Sequence, residues 1–207
     1  MNKIRSLVAG AIGAAVIVGG SLTASSAQAQ APSILDIVAG SLNDNGGQAT
    51  DRRWNDFDIL ANVVIALELA DDVGGLNGAT AFAPTDASFR GLVADLTNTP
   101  VWKLKEADVL NTLVSLTADE TIKGALTTTV LYHVSPIDVT DLFTNRSSIP
   151  TVGGPEIRPI PLRFSAILRD GDPTDFDPFV VGKPITASNG TVYVIAGVLR
   201  PIELSGL

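Results

Sequence analysis

The sequence predicts a single α+β domain, with helices in the first half of the chain and most strands in the second. Apolar residues at helical spacing dominate much of the first half. From about residue 127 the pattern changes to β-branched, alternating runs separated by proline and glycine. Asn189-Gly190, between two such runs, is a strong hairpin signal. This segregation of helices from strands favours an α+β fold over an alternating βαβ array.

Residues 1–29 have the features of a secretory signal peptide. The segment begins with two basic residues, continues through an uncharged and mostly apolar run at residues 7–20, and ends in the cleavage pattern Ala27-Gln28-Ala29. An uncleaved membrane anchor is the alternative. We therefore expect export to an extracellular or periplasmic location, with residues 30–207 as one mature domain that has no membrane span after cleavage.

Composition excludes several functional classes. The chain has 22 acidic against 14 basic residues, a net charge of −8, which argues against nucleic acid as a partner. It has no cysteine and one histidine, which excludes disulfide frameworks, cysteine chemistry and histidine-rich metal sites. The motifs GxSxG, GxGxxG and the P-loop are absent. We therefore expect a protein that is not an enzyme.

The first helices follow from apolar spacing. Residues 32–40 predict a short helix with Ser33 near its start, and residues 43–53 are polar enough to form a loop. Residues 57–70 predict a longer helix that Gly74-Gly75 ends. Its buried face comprises Phe57, Leu60, Val63, Val64 and Leu67.

A strand-to-helix corner comes next. Residues 80–83 predict a buried strand with Phe82 in the core, and Pro84 ends its pairing because proline has no N–H. Thr85 is a favourable N-cap, and Asp86 in the first turn suits the positive end of a helix. The helix that follows buries Phe89, Leu92 and Val93.

The remaining elements are less regular. Residues 103–116 predict a helix, and residues 121–128 add a turn or two. Residues 127–142 and 179–204 then predict strands. For the helix at 103–116, the predicted buried side comprises Leu104, Ala107, Leu110 and Val114.

Candidate chemistry is sparse. Three carboxylate pairs have no special spacing and are interpreted as solvated helix ends and loops. A denser cluster places four carboxylates in one loop with proline and glycine, as calcium prefers, although its spacing is not that of an EF-hand. A turn-forming acidic loop is the alternative. The three pairs are Asp56/Asp58, Asp71/Asp72 and Asp119/Glu120, and the loop carboxylates are Asp170, Asp172, Asp175 and Asp177.

Three segments together resemble the fasciclin domain family: TAFAPTDASF at residues 80–89, VLYHV at 130–134 and ITASNGTVYVIAGVLRP at 185–201. They occur in the family's order, and the resemblance covers about residues 33–204. The Asp- and Pro-rich loop is similar to that of secreted bacterial members with a single domain. The resemblance implies an α+β wedge of two sheets with helices packed around it.

The resemblance also implies residue roles. It makes Thr85, Asp86, Asn189 and Gly190 structural signature residues. The region around the Tyr-His segment is associated with integrin binding in animal members, which makes Tyr132 and His133 a binding hypothesis. A buried ring and a hydrogen-bonded imidazole are the structural alternative. Catalysis by His133 with a serine and an aspartate is a further, weaker alternative.

The expected function is a secreted, non-enzymatic module for cell adhesion or for interaction with extracellular matrix or biofilm. Its partner would be an extracellular protein or polysaccharide. The alternative is a carrier of an apolar small molecule in an apolar cleft, since some family members resemble carotenoid-binding proteins. No cofactor is expected, apart from the possible calcium ion.

Overall fold

The computed structural model describes residues 30–44, 46–144 and 146–202, so the predicted signal peptide lies outside the described residues. A mixed α+β fold is confirmed. The helices are α1 Ile34–Asp44, α2 Asp58–Ala66, α3 Ala70–Gly74, α4 Asp86–Thr97, a 3₁₀ turn Val101–Lys103, α5 Glu106–Leu116 and α6 Glu120–Tyr132. The strands are β1 Ala79–Pro84, β2 Val134–Ser135, β3 Arg158–Pro161, β4 Ala166–Arg169, β5 Phe179–Val180, β6 Ile185–Ala187 and β7 Gly190–Ala196.

The strands form a mixed sheet in the order β2-β1-β7-β5-β4-β3. At its centre β1 runs parallel to β7, and the other pairings are antiparallel. The edge of β7 that faces away from β1 pairs with β6 near the start of β7 and with β5 near the end of β7. The two sheets of the expected wedge are therefore continuous through β7.

Two apolar cores lie on opposite sides of the central strands. Because side chains alternate along a strand, Ala81 and Ala83 of β1 join the core beneath the helices, whereas Phe82 joins the other core. The ring of Phe82 stacks on Tyr193 of β7 with a centroid distance of 6.0 Å. The predicted burial of Phe82 is confirmed.

The predicted helix at residues 57–70 is two helices. Its apolar face is buried as expected, but the chain breaks after α2, where Glu68 takes a left-handed conformation with φ of 61°. The N–H of Glu68 donates to the carbonyl of Ile65 at 3.1 Å, which closes the helix end. Gly74 belongs to the separate helix α3.

Two further predictions were wrong. The buried face of α5 includes Glu106, Val109, Leu110 and Leu113, whereas the predicted Ala107 and Val114 are exposed. Residues 127–132 of the β-branched run at 127–142 are helical, because α6 continues to Tyr132, whereas Val134–Ser135 form the short strand β2. Tertiary packing outweighs strand propensity there.

The predicted hairpin is confirmed, with one change. Its two-residue loop is Ser188-Asn189, and Gly190 is the first residue of β7. A Cβ at Gly190 would lie 1.9 Å from the carbonyl oxygen of Ala79. Glycine is therefore required for the close approach of β1. Within the described part of the chain, no helix has the length and apolar character needed to cross a membrane.

Candidate functional site

The strand-to-helix corner connects α4 to α2 through Asp86. Its Oδ1 accepts the N–H of Ile59 at 3.0 Å, and its own N–H donates to the carbonyl of Asp56 at 3.1 Å. Thr85 makes no side-chain cap, and its hydroxyl instead lies 3.3 Å from that of Ser88. Thr85 therefore occupies the predicted N-cap position of α4, with Asp86 in the first turn, but the side chain of Thr85 does not make the cap bond. The corner is held instead by contacts of Asp86 to the segment at α2.

Asp86 also belongs to a buried acidic cluster that the sequence did not reveal. Asp58 and Asp86 have no exposed area and Glu106 is 3% exposed, yet these three carboxylates present oxygens within 4.8 Å of one another. A second group of the same kind joins Asp58 to the partly exposed Asp51 and Asp56. The interpretation of the Asp56/Asp58 pair as solvated is wrong for Asp58.

Backbone groups hold parts of this cluster in place. Glu106, on α5, accepts the N–H groups of Asp51 and Arg52. Burial, opposed by the Ile59 hydrogen bond and reinforced by the charges of Asp56 and Glu106, raises the pKa of Asp86 to about 9. Burial is the largest cause, and a pKa of about 9 leaves the Asp86 carboxyl protonated at neutral pH.

His133, at the end of α6, has both ring nitrogens engaged by the backbone. Nδ1 lies 2.7 Å from the carbonyl oxygen of Thr129, and Nε2 accepts the N–H of Leu199 at 2.9 Å. Because Nε2 accepts, Nδ1 carries the proton and the ring is neutral. Burial lowers the pKa of His133 to about 4. Neither ring nitrogen contacts a serine or aspartate, so this geometry is not that of a catalytic triad.

Tyr132 is fully buried in the second core. Burial, together with the charge of Asp170, raises the pKa of Tyr132. Gly154 packs so closely that a Cβ there would lie 3.2 Å from the Tyr132 ring. Tyr132 and His133 therefore present little surface to a partner, which favours their structural interpretation; their binding role stays a prediction.

The four loop carboxylates do not face one common point. Arg200 is 7% exposed, and its guanidinium lies 2.9 Å from Asp175 and 3.8 Å from Asp172. Its backbone N–H donates to Asp170 at 2.8 Å. The fourth carboxylate, Asp177, pairs with Arg169 at 3.5 Å. The loop is organised around Arg200, and calcium binding there stays a prediction.

Asn189 connects the hairpin to two distant segments. Its Oδ1 accepts the N–H of Ile34 at 2.8 Å, and its Nδ2 donates to the carbonyl of Leu76 at 3.0 Å. Ser33 and Asp36 form a reciprocal cap at the same helix end. The predicted start of α1 near Ser33 is confirmed, and Asn189 fastens that start to the sheet.

An apolar cavity of about 110 Å³ opens between α4, α5 and α6. Its walls are mainly Leu92, Leu96, Leu116, Ile122 and Leu126, and three threonines and an alanine complete the lining. Such a lining suits an apolar ligand better than a charged one.

The outer face of β3–β4–β5 is the other distinctive surface. Ile160 pairs with Ile167, and Ile167 pairs with Phe179, so one apolar row crosses three strands. Arg158 stands directly opposite Arg169 on the same face. At one end, Phe176 packs edge-on against Phe179 with ring centroids 6.1 Å apart. We call this apolar and basic surface the outer sheet face.

Comparisons with known proteins agree with this architecture. The family model described as the Fasciclin domain matches residues 55–201. The solved structure of a FAS1 domain pair from the insect cell adhesion molecule Fasciclin I is similar, with a TM-score of 0.54 and 14% sequence identity. The match covers 82% of this chain and 51% of the Fasciclin I chain, so this protein spans about half the length of that one. At this identity the likeness concerns the fold. No curated protein matches the chain.

Proposed function

Because this chain belongs to the fasciclin domain family, we propose that it is a secreted, non-enzymatic adhesion module that binds an extracellular polysaccharide. The family match over residues 55–201 is the observation that carries this proposal, since fasciclin domains are known in adhesion-related proteins and are typically extracellular. The enclosure of the only histidine, His133, supports a non-enzymatic role.

The outer sheet face is the contact surface in this proposal. Phe164, in the loop between β3 and β4, is 76% exposed, and Phe176, packed against Phe179, is 69% exposed. Exposed aromatic residues are common at binding surfaces. Pro159 and Pro161 deprive the edge strand β3 of N–H donors, which disfavours the addition of another strand. The partner therefore meets the face of the sheet rather than its edge.

Charge favours an anionic polysaccharide as the partner. The chain as a whole is acidic, yet Arg158 and Arg169 stand opposite each other on this face, and of the two only Arg169 has a carboxylate partner, Asp177, among the described residues. Carboxylate or sulfate groups bind guanidinium groups well, and flat rings such as Phe176 can stack on sugars.

The test is binding of the purified protein to polysaccharide and to protein fractions prepared from its own cells and matrix. We expect binding to the polysaccharide fraction. The double variant Phe164→Ser/Phe176→Ser should bind at least tenfold more weakly. Trp102→Ser is the matched control, because Trp102 is also 76% exposed but lies on the 3₁₀ turn.

Two results would contradict this proposal. Equal binding by the double variant and the wild type would exclude the outer sheet face, and binding confined to the protein fraction would exclude the polysaccharide. A deletion strain that attaches and forms biofilm as its parent does would count against adhesion itself.

A second candidate function is the carriage of an apolar small molecule, which the cavity between α4, α5 and α6 favours. Apolar cavities of roughly this size stay dry and accept small hydrocarbons. Native mass spectrometry and a visible absorbance spectrum of protein from its own source test this function. We expect a bound mass that is lost in Leu126→Trp, which fills the cavity. A bare chain without visible absorbance would exclude a carotenoid-like cargo.

A further inference from the structure

We propose that the buried carboxylates Asp58, Asp86 and Glu106 bind one divalent cation of the size of calcium. Their oxygens lie within 4.8 Å of one another, although they belong to three different helices. Calcium binds oxygen at about 2.3–2.6 Å, so two ligands on opposite sides of one ion are about 4.6–5.2 Å apart. The spacing therefore suits three ligands around one ion.

Asp86 provides an independent reason to expect a ligand. Its side chain has no exposed area and points into the cluster, and Oδ1 accepts the N–H of Ile59. Its Oδ2 is also buried and accepts no hydrogen bond from an N–H or hydroxyl group of the described residues. A buried carboxylate oxygen without a partner costs free energy, and a cation would remove that cost.

No basic side chain neutralises this part of the cluster. Among residues 30–44, 46–144 and 146–202, neither Asp86 nor Glu106 forms an ion pair with lysine or arginine. The nearby Arg53 pairs instead with Asp51, at 3.2 Å and closer to the surface. A cation at this position would therefore not compete with a lysine or arginine for Asp86 or Glu106.

The fixed orientation of the Glu106 carboxylate and the access to the cluster from solvent also suit a cation. Two backbone N–H groups hold the Glu106 carboxylate, which fixes its orientation before an ion arrives. Asp51 and Asp56 are partly exposed and share Asp58 with the inner group, so they form a carboxylate path from solvent. Calcium suits this closed site better than magnesium, which requires near-ideal octahedral geometry and retains several waters.

Isothermal titration of the chelator-treated protein with Ca²⁺, at physiological ionic strength, is the decisive experiment. We expect a stoichiometry of one and a dissociation constant of roughly 10⁻³ M or lower, the range of extracellular modules. Millimolar Ca²⁺ should raise the melting temperature, and Mg²⁺ should do so less. A flat titration with an unchanged melting temperature would overturn the proposal.

Variants locate the site. Asp86→Asn and Glu106→Gln should each weaken Ca²⁺ binding at least tenfold, and the use of two variants guards against misfolding in one of them. Asp177→Asn, in the acidic loop, is the matched control and should leave the affinity unchanged. Loss of binding in Asp177→Asn with retention in the other two would overturn the proposal and place calcium in the loop. Ca²⁺ binding is independent of polysaccharide binding, so failure of either proposal leaves the other intact.

Discussion

Nε2 of His133 accepts the backbone N–H of Leu199 at 2.9 Å, across 66 positions of sequence. The same ring lies 2.7 Å from the carbonyl oxygen of Thr129, one turn earlier in α6. One imidazole therefore joins the end of α6 to the segment that follows β7. This contact gives the Tyr-His segment a structural role whether or not it binds a partner.

Replacement of His133 by alanine should destabilise the protein. The change leaves the N–H of Leu199 buried without an acceptor, which costs about 1–3 kcal/mol in the free energy of unfolding. Urea unfolding of the two proteins measures the difference. An unchanged midpoint, combined with a loss of partner binding, would contradict the structural role and support the interaction role.

The stability of the protein should also depend on pH through His133. Burial lowers the pKa of this histidine from 6.5 to about 4, so between these values the unfolded chain binds the proton more readily than the folded one. Stability is therefore lost as the pH falls from 6.5 to 4, by about 3 kcal/mol from this group alone. Because carboxylates also titrate there, the measured quantity is the difference between wild type and His133→Gln. A pH-independent difference would contradict the prediction.

Gly190→Ala should be severely destabilising. The new Cβ would lie 1.9 Å from the carbonyl oxygen of Ala79, at a φ of 155°, so β1 and β7 would have to separate at their start. We expect a loss of more than about 3 kcal/mol or a failure to fold. Gly124→Ala is the matched control. Gly124 lies within α6 and nothing would contact its Cβ, so alanine should add about 0.5–1 kcal/mol of stability. Thermal unfolding distinguishes the two variants.

Arg200→Met should cost far more stability than Arg169→Met. The guanidinium of Arg200 is buried and faces Asp172, which is also buried, so its removal leaves Asp172 with the Thr174 hydrogen bonds but without a cationic partner. Breaking a buried pair costs at most about 3–5 kcal/mol. The side chain of Arg169 is 64% exposed where it pairs with Asp177, and an exposed pair contributes about 0–1 kcal/mol. Chemical denaturation of both variants checks the ranking, and equal losses would contradict it.

Local patterns were sufficient where each residue's environment follows from its neighbours in sequence. The apolar face of α2, the buried strand ending at Pro84 and the β6–β7 hairpin all follow from periodicity and turn chemistry. The start of α1 follows from Ser33 in the same way, since its cap is made within three residues.

Polar residues were predicted less well, because their burial depends on distant partners. The burial of Glu106 was not predicted, since its hydrogen-bond partners lie 54 and 55 positions away in the sequence. Asp86 fits the first turn of a helix, yet its carboxylate bonds to Ile59 of another helix. Calcium was expected in the loop at residues 170–177 because acidic residues are dense there in the sequence. The carboxylates that come closest together are instead those around Asp58, which packing of the helices brings together.

The α+β class, the buried strand ending at Pro84 and the β6–β7 hairpin could be predicted from the sequence, because they depend on short-range periodicity and turn signals. The resemblance to the fasciclin family was carried by three short segments that can be recognised without a structure. Three features could be seen only in the folded chain. The β-branched end of α6 is helical, and Gly190 allows β7 to approach Ala79 of β1. The Nε2 atom of His133 is occupied by the backbone N–H of Leu199. Each of these depends on atoms brought together from positions far apart in the chain. Local propensities are worth about 1 kcal/mol or less per residue, and such long-range contacts outweigh them.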